Sequence, residues 1–142
     1  MLKGRYSLQI SYKVNPELSI EQVLSIYDKS GLSRPKDTRS VMNMIKNAQV
    51  IVTAWEGQQL VGFLRALTDF SFDCYINDLA VDKDYQHHGI GRELVLRLME
   101  LLDEKTLVFL ISTPQATNFY TKMSFQNDFE RLGEPLFMVV EK

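Results

Sequence analysis

Apolar and polar positions alternate from Tyr6 to Val14, with Tyr6, Leu8, Ile10, Tyr12 and Val14 on one side. That period of two predicts a strand, and Pro16 ends it. The period then changes. Ile20, Val23, Leu24 and Tyr27 recur at helical spacing after Ser19, and Gly31 closes the stretch. A second helix follows, capped by Asp37 or Thr38, with Val41, Met42 and Ile45 as its apolar stripe. Val50 to Trp55 and Leu60 to Thr68 form a hairpin about Gly57, and Cys74 to Val81 is a further strand. Gly89 to Asp103 is the clearest helix, with Leu94, Val95, Leu98, Leu101 and Leu102 opposite Arg92, Glu93, Arg97 and Glu100. Thr106 to Ser112 reads as a strand, Thr117 to Lys122 as a short helix, and Phe125 to Phe129 and Leu136 to Glu141 as terminal strands.

The resulting order, β-α-α-β-β-β-α-β-α-β-β, predicts an α/β (α+β) fold. Its sheet is mixed, mostly antiparallel, of roughly seven strands with helices on both sides. Only one strand-helix-strand crossover is present, so one pair of strands is parallel and the doubly wound dinucleotide-binding fold is excluded. A length of 142 residues suits a single domain over 1–142.

Composition changes this picture little. The chain is 45% hydrophobic and 24% charged, as in an ordinary soluble protein. Its net charge of -2 gives no electrostatic footprint for nucleic acid. No apolar run approaches the roughly 20 residues of a membrane helix, and Met1 to Ile10 does not read as a signal peptide. The expectation is a cytoplasmic protein without a membrane partner. The single cysteine, Cys74, reads as a small buried apolar residue.

The chemistry concentrates after the Cys74–Val81 strand. Gln86-His87-His88-Gly89-Ile90-Gly91 lies between that strand and the amphipathic helix. A loop that feeds a helix N-terminus presents unpaired N–H groups at the positive end of the helix dipole, and glycines let a phosphate come close. Neither the three-glycine dinucleotide fingerprint nor a P-loop is present, and a G-x-G pair alone also fits a tight turn. His87 and His88 are adjacent in a loop and lack further ligands, so no metal is expected.

Leu79-Ala80-Val81, Tyr85 to Arg92 and Leu94 together resemble the acetyl-coenzyme A signature of the GNAT N-acetyltransferase superfamily. Ala116-Thr117-Asn118-Phe119-Tyr120-Thr121-Lys122-Met123-Ser124-Phe125 is similar to that family's second motif. The likeness covers about Ile51 to Phe125, and the element order extends it over nearly the whole chain. It departs from the pattern at Ser124, where the family usually has glycine, and at His87-His88.

The resemblance implies an acyltransferase that uses acetyl-CoA as co-substrate and passes the acetyl group directly to a primary amine. It implies backbone contacts to the cofactor from Leu79, Ala80 and Val81, on a strand that splays from its neighbour, often through a bulge. It implies phosphate contacts from Gln86, His87, His88, Gly89, Ile90, Gly91 and Arg92, and a contact to the pantetheine arm from Asn118. Tyr120 matches the general-acid position that protonates the leaving thiolate. The attacking amine must be neutral, and Asp78 is a candidate base; its rival reading is an aspartate that buttresses the sheet. Tyr27, Leu32, Arg34, Trp55, Arg65, Phe70, Phe72 and Phe129 fall where this fold builds its acceptor pocket, with core packing as the rival reading. The expected acceptor is a small-molecule amine. A peptide or protein amine, a non-catalytic acetyl-CoA sensor and a homodimer all remain open.

Overall fold

The computed structural model describes residues 8–142. The first seven residues, including Tyr6, lie outside the described part. The chain divides into two compact units, Met1–Leu110 and Ile111–Lys142.

The first unit is a five-stranded sheet in the order β1-β2-β3-β4-β5. β1 (Ile10–Val14), β2 (Val50–Glu56), β3 (Gln59–Thr68) and β4 (Asp73–Val81) pair antiparallel in sequence, and β5 (Leu107–Phe109) pairs parallel with β4. The helices are α1 (Ile20–Ser30), α2 (Thr38–Lys46) and α3 (Ile90–Glu100). Ser19 caps α1 through a reciprocal capping box with Gln22, and Asp37 caps α2 through the Ser40 N–H. Gly31 ends α1 in the left-handed region at φ 78°.

Adjacent residues of β3 show how the layers form. Phe63 points to the α1 face, edge-on to Tyr27 at 5.8 Å, in a core with Val23, Ile26, Val41, Trp55 and Ala80. Gly62 points to the other face, where an added Cβ would lie 2.9 Å from Ile90 Cγ2 and 3.1 Å from Leu94 Cδ1. Glycine here is a packing requirement, because α3 lies directly on the strand. Trp55 and Tyr27 belong to this core, and Leu32 packs against it. Cys74 is fully buried and unbridged, and burial pushes its thiol up.

The second unit holds a 3-10 turn, Pro114–Ala116, and α4 (Thr117–Lys122). The expectation of seven strands is corrected here. Neither 125–129 nor 136–141 joins a ladder among the described residues. Leu136 and Phe137 are 91% and 90% exposed. Their apolar alternation carries strand propensity, but that propensity measures fit to a partnered surface, and no strand among the described residues pairs with them. The parallel strand expected over Thr106–Ser112 is likewise only Leu107–Phe109.

Candidate active site

The sheet opens beside β4. Pairing with β5 runs only through Asp73–Leu107, Cys74–Val108 and Tyr75–Phe109. From Ile76 to Val81 that side of β4 has no partner strand among the described residues, leaving an edge able to hydrogen bond an extended ligand. Leu79, Ala80 and Val81 lie on this stretch. On its other side β4 pairs with β3, where the register jumps from Arg65–Asp78 to Ala66–Ile76 and leaves Asn77 as a bulge residue. The bulge stands two residues past the last β5 pair. The side-chain Oδ1 of Asn77 is buried without a hydrogen-bond partner.

The chain then turns into α3. Asp82 accepts from the Asp84 N–H at 2.9 Å and begins a 3-10 turn, Lys83–Tyr85. Tyr85 donates to Glu56 at 2.7 Å; that bond is the main reason its hydroxyl is pushed up to about 12. Gln86 donates from Nε2 to the Val81 carbonyl at 3.1 Å, closing the loop on the strand that precedes it. His87 and Gly89 both adopt left-handed backbone, at φ 66° and 80°.

The start of α3 differs from that of α1 and α2. Its N-cap is Gly89, which offers no side-chain hydrogen bond, so the first amides stay free of a protein cap. A Cβ built on Gly89 meets nothing within 4 Å. The helix therefore begins as an open cradle of N–H groups at a dipole's positive end, which suits a phosphate. Ile90 is 2% exposed and pins the first turn to the sheet, while Gln86, His87, His88 and Arg92 are exposed around it.

Asp78 is 1% exposed and carries a network. Its carboxylate accepts from Tyr27 Oη at 2.6 Å, Arg34 Nε at 2.6 Å, and Arg65 Nε and Nη2 at 2.7 and 3.3 Å. Those four bonds fill the roughly four acceptor positions of a carboxylate. Burial pushes the Asp78 carboxyl up, but bonds from Arg65, Tyr27 and Arg34 and the Arg65 charge outweigh it and hold the group below the usual carboxylate range. Burial and Asp78 together push the Tyr27 hydroxyl far up. Arg34 and Arg65, both among the residues placed at the acceptor pocket, are engaged by Asp78. Sequence reading missed this cluster. Its partners stand 51, 44 and 13 residues from Asp78, separations that no local period encodes.

In the second unit, α4 carries Asn118 and Tyr120. Tyr120 packs edge-on between Phe119 at 5.0 Å and Phe125 at 5.6 Å. Burial raises its hydroxyl pKa, and that hydroxyl has no hydrogen-bond partner among the described residues. Asn118 is exposed. Ser124 adopts φ 73° just past the helix, the left-handed geometry that explains glycine as the usual residue there.

A sheet that parts beside an uncapped, glycine-started helix has the shape to suit an extended, phosphate-bearing ligand. Residues 19–125 match the model of the acetyltransferase (GNAT) family, and the chain belongs to that family of acyltransferases. The GNAT fold implies acetyl-CoA as co-substrate.

Among relatives, an uncharacterized N-acetyltransferase, ycf52, of Gracilaria tenuistipitata var. liui is 28% identical over 134 residues, covering 89% of this chain and 73% of that protein. Histone acetyltransferase TAP1 of Glycine max is 24% identical over 135 residues, covering 86% of this chain and 58% of that protein. GCN5-related N-acetyltransferase 1, chloroplastic, of Arabidopsis thaliana is 29% identical over 125 residues, covering 85% and 63%. In fold, a GNAT-family acetyltransferase from Streptococcus pneumoniae superposes with a TM-score of 0.80 at 24% identity, covering 94% of this chain and 100% of that one. No helix among the described residues is long and apolar enough to cross a membrane.

Proposed function

We propose that this protein transfers an acetyl group from acetyl-CoA to the primary amine of a small molecule. The observation that carries the reading is the uncapped start of α3 at Gly89, set beside the unpartnered edge of β4. The amides from Gln86 to Arg92 hold the pyrophosphate. The β4 edge at Leu79, Ala80 and Val81 takes the pantetheine arm as a pseudo-strand; Asn118 enters this reading through its match to the family's second motif. One freed amide of that edge polarises the thioester carbonyl.

The amine nitrogen attacks the carbonyl carbon, the carbon–sulfur bond breaks, and the thiolate takes the proton of the Tyr120 hydroxyl. The amine releases its own proton to water, and the Tyr120 phenolate takes a proton back from water. Asp78, the expected base candidate, has no free acceptor position for that proton, so its role is to hold β4, Arg34 and Arg65 in place. The preference for a small acceptor rests on the α1–α2 loop, which Arg34 ties onto β4.

A thiol-release assay with acetyl-CoA and a panel of small amines, peptide N-termini and lysine peptides tests this. The expected result is release with small amines and little with peptides. Preference for peptides would overturn the acceptor assignment in favour of a protein acetyltransferase. Tight acetyl-CoA binding in calorimetry, with no release for any acceptor, would replace catalysis by sensing.

A further inference from the structure

We propose that Arg34, in the loop between α1 and α2, is a positioning residue for the acyl-transfer step, clamping the two residues of the β4 bulge in one fork. The proposal rests on the acetyltransferase reading of the site. Arg34 donates from Nε to Asp78 Oδ1 and from Nη2 to the Asn77 carbonyl, each at 2.6 Å, while Nη1 returns to the Ser33 carbonyl at 2.6 Å. One planar guanidinium thus fixes a main-chain oxygen, the neighbouring carboxylate and its own loop. A lysine, with a single charged nitrogen on a flexible stem, cannot reproduce that geometry.

Charge neutralisation does not explain the residue. Asp78 already has Arg65 as a buried counter-charge, held by two bonds, and Tyr27 as a further donor. Arg34 adds a second positive charge to a pair that is complete. It is also the partly exposed member, with 29% of its side chain accessible against 10% for Arg65. What Arg34 alone supplies is the bond to Asn77, the residue the β3 register skips. A bulge has no ladder partner to fix its backbone. Here it lies beside the edge that must aim an amide at a carbonyl, and a displacement of about 1 Å in such a group can cost about 10²-fold in rate.

The test compares wild type with Arg34→Ala and Arg34→Lys in kcat, KM, calorimetric acetyl-CoA affinity and thermal midpoint. In Arg34→Ala, kcat is expected to fall by about 10-fold to 10²-fold. Acetyl-CoA affinity should stay within about 2-fold, since the phosphate cradle is untouched. The midpoint should drop by no more than about 4 °C, the scale of a partly exposed ion pair. Arg34→Lys should recover the midpoint and leave kcat low. A kcat within about 2-fold of wild type in Arg34→Ala, or full recovery in Arg34→Lys, would overturn the clamp.

Amide hydrogen exchange gives a readout independent of turnover and of the alanine variant's stability. Exchange at Asn77, Asp78 and Leu79 should rise about tenfold or more in Arg34→Lys, with Val52 in β2 unchanged as a control for global opening. Equal exchange in variant and wild type would overturn the clamp. Should wild type itself neither bind acetyl-CoA nor release CoA, the acetyltransferase reading falls, while the exchange result still decides whether Arg34 holds the bulge.

Discussion

At the scale of the residue, the site depends on a few atoms whose removal has separable effects. Gly89 is left-handed at φ 80°, and its missing Cβ would point into open space. Gly89→Val therefore combines backbone strain with a branched group where a phosphate would approach the first amides of α3. We expect calorimetry to detect no acetyl-CoA binding, while circular dichroism retains the helix; binding at wild-type strength would remove the loop from the cofactor site. Tyr120 tests a different step. Burial raises its hydroxyl pKa, so it stays protonated at neutral pH and has a proton to give. Tyr120→Phe should lower turnover by about 10²-fold with acetyl-CoA affinity little changed, and unaltered turnover would take it out of the mechanism. Sequence reading singled out both residues, Gly89 through its place between a strand and a helix and Tyr120 through its match to the second motif. The conformations of Ser124 and Asn77 were not. A left-handed serine and a bulged asparagine follow from a helix end and a strand register, which single residue types do not announce.

At the scale of the element, the sequence was most informative where one face is buried by its own chain neighbourhood. β1 follows from a period of two and the three helices from one of 3.6, with helix ends set by Ser19, Gly31, Asp37 and Gly89, while β2 to β4 follow from apolar runs divided by the turn at Gly57. The last two expected strands failed for a physical reason. Alternation states which side of a strand is apolar, but a strand also needs a partner, and Leu136 to Val140 have none among the described residues. The Asp78 cluster was illegible because it joins α1, the α1–α2 loop, β3 and β4. Where elements touch, small residues carry the fit. In Gly62→Ala the new methyl would stand 2.9 Å from Ile90 Cγ2 and 3.0 Å from Ala54 Cβ, so α3 must lift at its first turn. We expect a loss of about 1–3 kcal/mol in chemical denaturation and weaker acetyl-CoA binding, since the cradle rides on that turn. Unchanged stability would mean that α3 is packed less closely on β3 than the distances indicate.

At the scale of the whole molecule, a chain of net charge -2 would take an anionic co-substrate, on the proposed reading, through one local cradle, and a few local groups likewise set its response to pH. Asp78, Asp37 and Asp69 are each held below the ordinary carboxylate range. Tyr27, Tyr85 and Tyr120 are each raised. A group with a depressed folded pKa contributes stability that is full above its unfolded value and lost as pH falls through its folded value. For the aspartates the loss begins below about pH 4. A group with a raised folded pKa contributes stability that is full below its unfolded value, about pH 10 for tyrosine, and lost as pH rises through its folded value. Stability should therefore be flat with respect to these groups between about pH 5 and 9 and fall on both sides. Asp78 is the buried member of the acid set, so it should dominate the acid limb. Asp78→Asn removes that titration and strands the buried Arg65 without its counter-charge. Near pH 7 this should cost about 3–5 kcal/mol, and the variant's stability should change less steeply below pH 4. Denaturation midpoints for the two proteins from pH 3 to pH 7 check this. An acid limb equally steep in both would show that the exposed carboxylates, not the Asp78 cluster, set the acid stability of the fold.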